Sequence, residues 1–151
     1  MGKTMTDQNG SDSGWTARLL VPAGAESDRG GFLTVEVGPQ RSTVPISAAH
    51  TQLVLTLHEA ARRDAEMGCD APAQGWRSPR QLAKSLVQRA PDRIEVEEQT
   101  IRSYASRIQR GIREAILNER IQGECPSLFE HRKQVGLRLP PGKLVVVDRD
   151  A

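Results

Sequence analysis

The sequence predicts an α+β domain: an N-terminal β-hairpin, three helices and a C-terminal β-hairpin. Three observations carry this expectation. Residues 32–37 (FLTVEV) alternate, with Leu33, Val35 and Val37 on one face and Phe32, Thr34 and Glu36 on the other, the pattern of a half-buried strand. Three later segments repeat apolar residues at helical spacing. The stretch SLFEHRKQVGLRLP (127–140) places a basic turn between two short runs of strand-forming residues.

Along the chain, residues 1–30 are rich in Gly, Ser, Asp and Thr and read as a flexible N-terminal segment. Within it only Trp15–Val21 (WTARLLV) is apolar enough to order, as a short strand or a docking segment. The folded domain is expected over 31–140. Gly38-Pro39-Gln40-Arg41 is turn chemistry, and 42–46 (STVPI) returns as the second strand, with Pro45 confining it to an edge or to the strand end. Ser47 is a good N-cap for a helix over 48–67, and Gly68 is its stop signal.

Cys69–Trp76 reads as a loop. Ser78 and Pro79 then open a short helix over 78–89: Ser caps, and Pro at the first helical position loses no needed N–H. Ala90-Pro91-Asp92 breaks it. The third helix, 97–116, carries an apolar stripe of Ile101, Tyr104, Ala105, Ile108, Ile112, Ala115 and Ile116. Glu97 and Glu98 stand in its first turn, where carboxylates suit the helix dipole. Gly111 is a weak point, costing roughly 1 kcal/mol against Ala. Residues 141–151 form a tail, in which Leu144–Val147 (LVVV) adds one more strand.

Composition narrows the function classes. The formal net charge is only +2, but acids gather at Asp7, Asp12, Glu26, Asp28 and around 95–98, while bases gather between Arg77 and Lys143. A local basic face can bind phosphate on a nearly neutral chain. Two Trp, two Phe and one Tyr leave an aliphatic core and argue against single-strand binding by base stacking. Tyr104 and Trp76 are expected to pack against the helices, and Trp15 to be core or an interface anchor. Cys69 and Cys125 form no CxxC pair, so free thiols in a reducing compartment are the expectation. The N-terminus lacks the apolar region of a signal peptide, and no apolar run spans a membrane, so the expected location is cytoplasmic and nucleoid-associated, with no membrane contact.

Catalysis is not expected. His50 and His58 lie eight residues apart without a third ligand at metal spacing. No Ser, Cys or His stands in a nucleophile motif, and GAESDRGG lacks the Lys of a phosphate loop. The expectation is a non-enzyme without metal or cofactor.

The order of elements, and IEVEEQTIRSYASRIQRGI (94–112) in particular, resembles the winged helix-turn-helix effector domain of OmpR/PhoB-type bacterial response regulators. Ser106-Arg107-Ile108-Gln109-Arg110 stands at the family's run in the recognition helix. SPRQLAKSL is similar to its second helix, which follows a short strand, here near 75–77. SLFEHRKQVGLRLP resembles its wing, with Gly136 at the family's glycine and Leu139 at the closing apolar position. The resemblance spans about 32–140. Leu137 replaces the family's aromatic, the loop after the first helix is longer, and the first thirty residues cannot house a receiver domain, so phosphorelay control is not implied.

The resemblance implies sequence-specific binding of double-stranded DNA by a bacterial or phage transcriptional regulator. A helix in the major groove keeps an apolar back on the core and presents a polar, basic front. Gln99, Arg102, Ser103, Ser106, Arg107 and Arg110 fit that front, with Arg113 further along toward phosphate. The wing residues His131, Arg132, Lys133 and Arg138 suit phosphate or minor-groove contact. Ser78, Arg80 and Lys84 at the start of the second helix suit the backbone. One such module has a small interface, so homodimerisation, tandem binding or a partner such as RNA polymerase or a regulator protein is expected, with WTARLLV and LVVV as candidate contacts. Two alternatives stand beside this reading: a winged-helix protein-interaction module whose arginines pair with acids, and an architectural DNA-binding protein with little sequence choice.

Overall fold

Period-two alternation builds most of the sheet. In the computed structural model, which describes residues 14–21, 30–89 and 96–148, four strands pair in the order β3-β2-β1-β6: β1 (Trp15–Val21), β2 (Gly31–Val37), β3 (Gln40–Ile46) and β6 (Leu144–Asp148). β1 runs antiparallel to β2 and parallel to β6, and β2 runs antiparallel to β3. Trp15, Ala17, Leu19, Leu33, Val35, Val37, Ile46 and Leu144 turn inward and are buried. Pro45 stands on the edge strand β3, opposite Phe32, where its missing N–H costs no internal ladder bond.

This pairing corrects the expected boundaries at 31 and 140. Trp15–Val21 is an inner strand of the sheet, and the tail strand is its neighbour, so both boundaries cut through one layer. Two links close that seam: the Ala17 N–H donates to the Lys143 carbonyl at 2.8 Å, and Lys143 Nζ donates to the Trp15 carbonyl, 128 residues away in sequence. Residues 1–13 and 22–29, the rest of the expected flexible segment, lie outside the described residues, as does the expected helix break at 90–92.

Three helices cover the inner face. α1 (Ala48–Glu66) is capped by Ser47, whose Oγ accepts the His50 N–H at 3.1 Å, and ends before Gly68 at φ +92°. α2 (Pro79–Arg89) opens on a reciprocal cap: the Gln81 N–H donates to Ser78 Oγ, and the Ser78 N–H donates to Gln81 Oε1. α3 (Glu98–Asn118) buries Ile101, Ala105, Ile108, Ile112 and Ile116 along one stripe. The core is almost wholly aliphatic: Leu53, Val54, Leu57, Leu82 and Leu86 meet the α3 isoleucines and the inward sheet residues. Trp15 belongs to this core, while Tyr104 is half-buried with its ring 4.9 Å from that of His50. Gly111 faces β3, where a Cβ would reach only ordinary contact with Val44, at 3.5 Å. The end of α3 is tied to the same strand: Ser42 Oγ donates to Glu119 Oε2 at 2.6 Å, and the Gln122 N–H donates to Gln40 Oε1 at 3.0 Å.

A second, smaller sheet follows. β4 (Glu130–Arg132) and β5 (Gly136–Arg138) form an antiparallel hairpin. Arg77, in the segment between α1 and α2, joins it by a bridge to Leu137, with both backbone bonds near 3 Å. The approach is so close that a Cβ on Gly136, whose φ is +140°, would overlap the Arg77 carbonyl. Gly136 is therefore required by the local geometry. The architecture is α+β: three helices packed on a mixed sheet, with a hairpin beyond them.

Candidate nucleic-acid interface

Helical geometry sorts the side chains of α3. At about 100° per residue, Gln99, Arg102, Ser106, Arg110 and Arg113 fall on one stripe and Ser103 and Arg107 on its flank, all away from the isoleucine face. The structure agrees: Gln99, Arg102, Ser106, Arg107, Arg110 and Arg113 are exposed, and Ser103 is half-buried. Gln109, between the stripe and the core, is taken inward. Its amide donates to the Pro126 carbonyl at 2.7 Å and accepts the Leu128 N–H at 2.9 Å, tying α3 to the chain that leads into β4.

Arg102 shares a groove of about 470 Å³ with Ser78 and Pro79 at the start of α2 and with residues 131–137 of the hairpin. His131, Arg132 and Lys133 are exposed along its rim. Three of the expected contact regions therefore converge on one concavity. Arg80 and Lys84 line a neighbouring hollow between α2 and α3, together with Glu97 and Glu98. Arg80 Nε there lies 3.8 Å from Glu98 Oε2, a solvent-exposed pair of small energetic weight.

Arg138 departs from its expected role. It is buried, with Nε donating to Glu130 Oε1 at 2.7 Å and Nη1 donating to the carbonyls of Ala71, Pro72 and Gln74 at 2.8–3.2 Å. Its guanidinium lies over the Trp76 ring at 4.5 Å. Its burial and these bonds make it a fastener between the hairpin and the loop that holds the 3₁₀ turn at Ala71–Ala73 rather than a surface cation. Trp76 correspondingly serves as a platform: Arg132 also lies over it, at 4.7 Å, and its indole N–H donates to the Pro72 carbonyl.

A second fastener stands beside it. Arg77 donates to both carboxylate oxygens of Asp64, at 3.0 and 3.1 Å, and the Gly75 N–H donates to the same group. The hydrogen bond from Arg77, joined by that from Gly75 and by the guanidinium charge, holds the Asp64 carboxyl below its ordinary range despite partial burial. No pattern in the sequence pairs Asp64 with Arg77. They are thirteen residues apart across a loop, and no periodicity links them; Gly75 and Gly136 were the only local signs of a tight approach.

Near the start of α1, at the margin of the basic face, burial and then the charge of Arg107 lower the His50 pKa. Burial also lowers His58, followed by the charge of Arg62, against a smaller opposing effect of Glu59. Among the described residues, no three His, Cys, Asp or Glu side chains gather as a metal site would require. Among the same residues, no helix is long and apolar enough to cross a membrane. What the face offers chemically is a set of guanidinium, ammonium, hydroxyl and amide donors around one groove, suited to anionic oxygens and to planar acceptor pairs. No known protein family, curated protein sequence or solved structure matches the chain.

Proposed function

We propose that the chain binds double-stranded DNA with sequence preference, as a winged helix-turn-helix transcriptional regulator. α3 enters the major groove and the β4–β5 hairpin, as the wing, rests on the flanking backbone. The observation that carries this reading is the shared groove: the α3 stripe at Arg102, the start of α2 and the hairpin tip line one concavity. An arginine-rich helix face alone is commonly a solvated face. A basic hairpin held against the same side by Arg77, Gly136 and Arg138 supports the stronger reading, because a major-groove helix needs neighbouring backbone contacts to set its register.

Roles follow from position. Arg102, Ser106 and Arg110, along the exposed stripe, are the base readers, with Gln99 and Ser103 beside them. Arg113, at the far end of the stripe, and Arg107, on its flank, meet phosphate. Arg132 and Lys133 contact the backbone beside the groove, and the exposed side chains of Arg80 and Lys84 on α2 meet phosphate.

The test is a pair of variants measured on a selected duplex and on random duplex. Arg110→Ala is expected to weaken the selected site by roughly 1–3 kcal/mol more than random DNA. Lys133→Ala is expected to weaken both alike and to reduce the slope of log affinity against log salt by about 1. An Arg110→Ala protein that binds its selected site like the parent would remove α3 from the major groove.

A further inference from the structure

The two edges of the four-stranded sheet are built differently. β3, at one edge, carries Pro45, which removes a backbone donor, and the exposed, charged Arg41. These are the devices that keep an edge from pairing. β6, at the other edge, is LVVVD, without proline or lysine within the strand and dominated by valine, a residue that favours extended pairing. Among the described residues, no strand covers it.

The ladder shows which backbone groups of β6 remain outward. In a parallel pair, alternate residues address the neighbour. The Ala17 N–H donates to the Lys143 carbonyl, and Ala17 lies opposite Leu144, so Lys143, Val145 and Val147 address β1. Leu144, Val146 and Asp148 then turn their N–H and C=O groups to the open side. A two-fold axis through Val146, normal to the sheet, would match this set to itself: Val146 against Val146 of a second copy, and Leu144 against Asp148 at both ends. Every outward group would find its antiparallel partner without shifting the strand.

The side chains are compatible with the same axis. Val145 is 55% exposed on the outer face, and Val147 stands beside it. On that face Val147, Leu20, Phe32 and Pro45 lie opposite one another in a row across all four strands, and Phe32 is 43% exposed. Two-fold pairing sets Val145 of each copy against Val147 of the other. The rows of the two copies, offset by two residues, then join at the seam through four valines in one apolar band.

We propose that β6 is the seam of a homodimer, in which two chains join edge to edge through antiparallel β6 strands into one continuous eight-stranded sheet. The contact is isologous, so it closes at two copies. It is independent of the DNA-binding reading, and it is tested without DNA. Sedimentation equilibrium of the full chain from micromolar to millimolar protein is expected to show a reversible monomer–dimer transition. The Val146 amide is expected to exchange with solvent more slowly as concentration rises.

Val146→Pro removes one outward N–H and no bond to β1. It is expected to leave the circular dichroism of the dilute protein unchanged and to hold the chain monomeric at concentrations where the parent is dimeric. Val145→Lys, which leaves the ladder intact and places a charge on the band, is expected to do the same, and it decides the matter if Val146→Pro does not fold. A parent that stays monomeric throughout, or a folded Val145→Lys variant that dimerises like the parent, overturns the proposal.

Discussion

The arginines of the joint between α1 and the hairpin and those of the outer face of α3 have the same chemistry and opposite surroundings. At the joint, Arg77 spends its guanidinium on Asp64, and Arg138 spends its own on Glu130 and three backbone carbonyls. On α3, Arg102, Arg107, Arg110 and Arg113 stand in solvent. The first set holds the hairpin at a fixed place beside the second. The lesson is that a basic stretch divides into fasteners and contacts, and that only burial and partners tell them apart.

The largest expected effects lie at the joint. Gly136→Ala must displace the Arg77 backbone and break the bridge to Leu137, with an expected loss of more than about 3 kcal/mol of stability in chemical denaturation. Arg138→Ala removes a donor from three carbonyls and a carboxylate, of which Ala71 keeps the Gln74 N–H and Pro72 the Trp76 indole, and is expected to cost about 1–3 kcal/mol. By contrast, Arg110→Ala or Arg113→Ala is expected to move stability by no more than about 0.5 kcal/mol. Equal losses in the two regions would erase the distinction.

A smaller effect concerns acid. The Asp64 carboxyl titrates below its ordinary value of 3.8 in the folded protein, so the folded state binds fewer protons than the unfolded chain there. Its contribution is present above that ordinary value and is lost as pH falls through the lower, folded one. Asp64→Asn should therefore be less stable than the parent at neutral pH, and the gap should narrow steadily in denaturation series below about pH 4. A gap that does not change with pH would assign the role of Asp64 to shape rather than to charge.

The smallest expected effect places Arg107. Arg107→Gln relieves part of the repulsion that disfavours the His50 imidazolium, and the His50 ring protons titrate at higher pH by NMR. His58, which feels the charges of Arg62 and Glu59 rather than Arg107, serves as the internal control and should not move.

Much of this arrangement was legible because local patterns carry it. The alternation of FLTVEV, the Ser47 and Ser78-Pro79 starts and the isoleucine stripe located both strands of the first hairpin and all three helices to within a few residues. The basic turn expected at 132–134 overlaps the turn at 133–135 between β4 and β5, and the short strand expected near 75–77 appears as the Arg77 bridge. What stayed hidden depends on distant partners. WTARLLV gave no sign of its parallel neighbour at 144–148, because a pairing over such a span leaves no local period. Arg138 read as a surface cation because its neighbours in sequence are basic, whereas its partners at Ala71, Pro72 and Gln74 come from another loop. Trp76 read as helix packing and turned out to be the ring beneath two guanidiniums.

The central claim is that the exposed face of α3, with the hairpin beside it, reads duplex DNA. The most direct measurement is the affinity of the full chain for a duplex selected from a random pool, against the unselected pool, across a salt series. The account predicts binding to both at low salt, a linear fall of log affinity with log salt, and a preference for the selected duplex that persists as salt rises. No binding to either duplex at low salt would contradict it, and equal affinity for both at every salt concentration would contradict sequence reading by α3.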